Sequence, residues 1–79
     1  MDFVIIVKCS PEVEPVVDEI EHMLTNQPIN CASSISNDGQ RIEIYVNTDT
    51  TDQARYVIAL AKEMFGDQLL YCPDESEFL

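Results

Sequence analysis

The run Phe3-Val4-Ile5-Ile6-Val7 is the strongest constraint in the chain. Successive side chains of a strand point to opposite faces, and here both faces are apolar, so neither tolerates full contact with water. The segment predicts a central strand, paired along both edges and covered at least partly on both faces. At 79 residues, area scaling gives roughly 4,900 Å² of folded surface against about 13,000 Å² unfolded, enough for one modest core. The rest of the chain must therefore supply the neighbours of this strand and one layer of cover.

Downstream, Ser10-Pro11 offers a helix cap and a first-turn proline. Val13, Val16, Val17, Ile20, Met23 and Leu24 then fall within about 120° of one another at about 100° per residue, an amphipathic helix. Pro15 moves the regular start to about Glu14, since a proline deeper than the first turn loses a hydrogen bond and clashes with the preceding turn. Asn26-Gln27-Pro28 ends this helix, and Ile29 to Ser36 reads as a weak, polar strand. Asn37-Asp38-Gly39-Gln40 turns it back into Arg41 to Asn47 as a hairpin. There the alternation places Ile42, Ile44 and Val46 inward and Arg41, Glu43 and Tyr45 outward, so one face of the sheet is open. Thr50, with Gln53 three residues on, caps a second helix that turns Ala54, Val57, Ile58, Ala61 and Phe65 inward and closes at Gly66. Leu69 to Cys72 is the last strand, stopped by Pro73.

The order β-α-β-β-α-β predicts an α+β, ferredoxin-like plan: a four-stranded antiparallel sheet in spatial order 4-1-3-2 with two helices on one face. It puts the apolar run in the middle of the sheet. Residues 1–73 form one domain in this reading, and residues 74–79 an acidic C-terminal tail that either frays or docks by Phe78.

Several chemistries find no footing in the sequence. Three cysteines at wide spacing, Cys9, Cys31 and Cys72, do not make a disulfide framework, and the first ten residues lack the basic start of a signal peptide. The longest apolar run is too short to span a bilayer, so a soluble, reducing, cytoplasmic setting is expected, with no membrane partner. Cys9 sits just before a helix N-terminus, a nucleophile's position, but the only histidine, His22, lies roughly 18 Å along the chain at about 1.5 Å per helical residue. Cys9 therefore reads as structural and His22 as solvated. Cys31 and Cys72 fall on opposite edge strands, so no metal centre is expected. Ser34 to Gly39 is a hairpin turn and not a calcium loop, because Ser34, Ser36 and Tyr45 stand where ligands are needed. With two arginines and no glycine-rich loop, phosphate chemistry is not expected either. The sequence thus predicts a protein that is not an enzyme, with no catalytic residue and no cofactor.

Charge is the remaining signal. Fifteen acidic residues face four basic ones, a net charge of −11, or one excess negative charge per ~450 Å² of expected surface. Direct binding of nucleic acid is not expected on that balance, and basic surfaces are the expected partners. On the first helix Glu14, Asp18 and Glu21 project within about 60° of each other, read as lying opposite the core stripe, with Glu12 and Glu19 at one edge. The tail adds Asp74, Glu75 and Glu77. These eight carboxylates are the expected partner-binding residues. In charge and size alone, the chain resembles proteins that imitate the nucleic-acid backbone, among them virus-encoded inhibitors of restriction and CRISPR systems (anti-restriction and anti-CRISPR proteins). That resemblance implies an inhibitor that blocks a basic, nucleic-acid-binding protein. The plainer alternative is an acidic face that only keeps the chain in solution. A different class of function rests on the open sheet face, where Val4 and Ile6 should meet Tyr45. This face would serve as a homodimer seam, with a small ligand held there, unless Tyr45 and Phe78 simply cover it.

Overall fold

The computed structural model describes residues Met1–Leu79. The apolar run becomes β1, Asp2–Lys8, and lies between two partners. It pairs antiparallel with β3, Arg41–Asn47, from Asp2↔Asn47 to Lys8↔Arg41, and with β4, Leu69–Tyr71, at Ile6↔Tyr71 and Val7↔Leu69. The register shifts by one residue between these last two pairs, so Leu70 bulges from the ladder and is 54% exposed. β2, Asn30–Ile35, pairs with the far side of β3, which gives the order β2-β3-β1-β4, the expected order read from the other edge. The plan is α+β and ferredoxin-like.

Two helices cover one face. α1, Glu14–Thr25, buries Val17, Ile20 and Leu24, and α2, Thr51–Phe65, buries Ala54, Val57, Ile58, Ala61 and Phe65. Opposite them Ile5 and Val7 of β1 and Ile42, Ile44 and Val46 of β3 complete the core. The accessible surface is 4765 Å², close to the area-scaling value.

Local chemistry explains the boundaries. Thr50 Oγ1 accepts from the Gln53 N–H, and Gln53 Oε1 accepts from the Asp49 N–H, so the predicted α2 cap forms with its reciprocal arm one residue earlier than a simple capping box. Gly66, at φ +53°, ends α2 in a conformation that a side chain would resist. In the hairpin, Asp38 Oδ1 accepts from the Gln40 N–H and the Ser36 hydroxyl, while Gly39 takes φ +72°. These two bonds hold the Asp38 carboxyl below its usual range, the Ser36 hydroxyl contributing most.

One detail differs from expectation. Ser10 does not cap α1 through its side chain: its carbonyl accepts from the Val13 and Glu14 N–H groups, while its buried Oγ has no partner. A turn over residues 11–13 separates Ser10 from the helix and carries its hydroxyl out of reach of the first free amides. Pro15 lies in the first turn of α1, where its missing N–H costs little. Of its two expected courses the tail takes the docked one. Asp74 and Glu77 form a capping box around a 3₁₀ turn, Glu75–Phe78, and Arg55 of α2 donates to the Phe78 carbonyl. The Phe78 ring packs on Phe3 with centroids 5.4 Å apart. Phe3 shares the helix-covered side of β1 with Ile5 and Val7, so Phe78 extends the core and leaves the outer sheet face uncovered.

Candidate functional site

The acidic row of α1 forms as a row, but on a flank. The buried residues Val13, Val17, Ile20 and Leu24 centre about 100° round the helix from the Glu14, Asp18 and Glu21 group, at about 100° per residue. The group therefore borders β2 and does not crown the back of the helix, because α1 rolls Val13 and Val17 onto the sheet and leaves Val16 and Met23 half-buried toward α2. Glu14 and Asp18 are exposed and line a groove with Ser33 and Ile35 of β2. Glu21 is half-buried farther along, where its carbonyl accepts from the Cys31 thiol at 3.9 Å. Burial, and then the Glu21 charge, push the Cys31 thiol pKa up. Glu12 and Glu19 are exposed, and Glu19 turns to the other flank, beside Met23, Leu60 and Glu63.

No lysine or arginine relieves this flank. The four basic residues are Lys8 and Arg41, register partners at one end of the outer sheet face, and Arg55 and Lys62 on α2. One ion pair exists in the molecule, between Arg55 and Asp52. From Glu14 to Asp18 to Glu21 the helix rises about 6 Å and then about 4.5 Å, against one phosphate per about 3.4 Å along each strand of DNA. The row thus carries charge at roughly two-thirds the linear density of one nucleic-acid strand.

Asp74, Glu75 and Glu77 do not join it. α1 packs on β2 at one edge of the sheet, whereas the tail packs on α2, which sits toward β4. Asp74 and Glu77 are also engaged in their own turn, where the Ser76 N–H holds the Asp74 carboxyl below its usual range.

The outer sheet face holds the other predicted residues together. Val4 and Tyr45 are register partners, Ile6 pairs with Tyr71, and both tyrosines are 50% exposed. A shallow cavity of about 550 Å³ opens among Asp2, Val4, Ala32, Tyr45 and Asn47. The Tyr45 hydroxyl donates to Glu43 Oε1 at 3.1 Å, and this carboxylate raises the phenol's pKa. Tyr71 and Leu70 were missed as part of this surface, since a three-residue strand with a bulge has no period from which to read its outward side chains.

Cys31 on β2 and Cys72 just past β4 lie at opposite edges of the sheet, and all three cysteines are free. His22 is exposed, with Nε2 3.5 Å from Asn26 Nδ2. No helix is long and apolar enough to cross a membrane. Comparison with protein-family models, curated proteins and solved structures found no match to this chain.

Proposed function

We propose that this chain is a non-enzymatic, cytoplasmic binding protein that sets the acidic flank of α1 against the basic, nucleic-acid-binding surface of a larger protein and blocks it. The observation that supports this reading is the row Glu14, Asp18, Glu21, which carries roughly two-thirds the linear charge density of one nucleic-acid strand and has no lysine or arginine on α1 or β2 to relieve it. Long-range attraction between this row and a basic groove steers association and weakens with salt. The tail carboxylates add to the field from another side. Inhibitors of restriction and CRISPR nucleases are the class of protein that this design suits.

The test is capture from a cell lysate on immobilised wild-type protein and on a Glu14→Lys, Asp18→Lys, Glu21→Lys variant, followed by elution with duplex DNA or RNA. The proposal expects a nucleic-acid-binding protein that is retained by the wild type alone and released by the competitor. Equal retention on both surfaces, or indifference to competitor, overturns it.

A second reading is supported by the exposed Tyr45 and Tyr71 over half-buried Val4 and Ile6. In it the outer face is a homodimer seam with room for a small apolar ligand. A mass of two chains by light scattering, unchanged by salt and halved by Val4→Asp or Ile6→Asp, would favour it; one chain at high concentration removes it.

A further inference from the structure

β2 is an edge strand with no protection. It carries no proline, lysine or bulge, and its register with β3 is regular from Asn30↔Asn47 to Ile35↔Ile42. The Ser36 N–H bonds the Arg41 carbonyl at the hairpin end. The alternation of an antiparallel ladder therefore turns the N–H and C=O groups of Cys31, Ser33 and Ile35 away from β3, toward the open edge. The side chains of these same three residues face the α1 side, since their partners Val46, Ile44 and Ile42 lie in the core.

Between that edge and α1 lies a groove of about 500 Å³. Its floor is Val17, Ile42 and Ile35, the last 56% exposed, and its rim is Glu14 and Asp18. Apolar floor and acidic rim are the two surfaces that a lysine or arginine side chain needs, one for its methylenes and one for its head. Glu21 continues the rim toward Cys31, so the three carboxylates run beside the strand from its Ile35 end to its Cys31 end. They cover about 10 Å of helix, and alternate side chains on an added strand would stand about 6.8 Å apart. Two or three of them match the row.

We propose that β2 accepts an extended segment of the partner as a fifth strand, with lysine or arginine at alternate positions directed into the groove beside Glu14, Asp18 and Glu21. This rests on the acidic-flank reading above and states how that flank would hold its partner. Main-chain hydrogen bonds to Cys31, Ser33 and Ile35 supply the register, and the carboxylates select basic over neutral or acidic segments. A second copy of this chain is a poor occupant, because antiparallel β2-to-β2 pairing brings two acidic rows together.

The test uses the peptide acetyl-Arg-Thr-Arg-Val-Arg-Thr-amide and two backbone-methylated forms, one methylated on the arginine amides and one on the other three. One methylated form should bind at least about tenfold more weakly while the other binds as the parent does, because only alternate amides face the edge. In the complex, the Ser33 and Ile35 amides should exchange more slowly with solvent, and Glu14→Gln with Asp18→Asn should weaken the parent peptide. Equal binding of the two methylated forms, unprotected Ser33 and Ile35 amides, or no binding below about 1 mM at low salt overturns strand addition. If this happens while captured partners still depend on Glu14, Asp18 and Glu21, the acidic-flank reading stands and only the strand is lost. If captured partners ignore those carboxylates as well, both fall.

Discussion

Two isoleucines on the same face of the sheet separate stability from binding. Ile44 of β3 is fully buried, and Ile44→Ala should cost about 2–5 kcal/mol through lost burial and the cavity left behind, read as a lower urea midpoint. Ile35 of β2 lies on the same side but past the start of α1, and is 56% exposed. Its replacement by alanine should move stability by no more than about 0.5 kcal/mol. Cys31 and Cys72 offer a test of titration. Burial is the main cause that raises both thiols above the reference value of 9.0. A group whose folded pKa is raised stabilises fully below its unfolded value and loses that contribution as pH climbs through the folded value. Stability should therefore fall as pH climbs past the reference value of 9.0, and fall less in a Cys31→Ala, Cys72→Ala variant, as measured by urea denaturation. The same step should leave the hairpin intact, since the Asp38 carboxyl is lowered by its turn bonds and loosens only in acid.

Among the elements, those with their own period were readable from the residues alone. Alternation from Arg41 to Asn47 returned β3 with the same ends and the same inward set, and the 3.6-residue recurrence placed both helices. What depends on contact between elements was not readable. The roll of α1 decides whether Glu14, Asp18 and Glu21 face water or flank β2, and either roll keeps an apolar stripe inward. The tail is another such case: the spacing of Asp74 and Glu77 is a local signal for a capped turn, but its docking rests on Phe3 and Arg55, far away in the chain. Phe78→Ala removes a half-buried ring and an aromatic pair worth about 0.5–1.5 kcal/mol beyond its area. The expected result is a thermal midpoint lower by roughly 4–8 °C per kcal/mol lost, with the acidic flank of α1 unaffected. An unchanged midpoint would mean that the tail is not part of the core.

On the scale of the whole molecule, fifteen acidic side chains share one ion pair, and the charge is carried at the expense of self-repulsion. Sodium chloride shortens the screening length from about 10 Å at 0.1 M to about 3 Å at 1 M, so the thermal midpoint at neutral pH should rise with salt while any partner affinity falls. The sign and size of the charge are matters of composition. The place where that charge meets an open strand is a matter of packing, and it is this meeting of α1 with β2 that gives the acidic surface a defined edge. The most direct test is the dissociation constant of a captured partner as a function of salt, for the wild type and for a Glu14→Gln, Asp18→Asn, Glu21→Gln variant. The variant should bind at least about tenfold more weakly at low salt and with a shallower salt dependence. Equal affinity and equal slope would contradict it and leave the acidic flank without a role in binding.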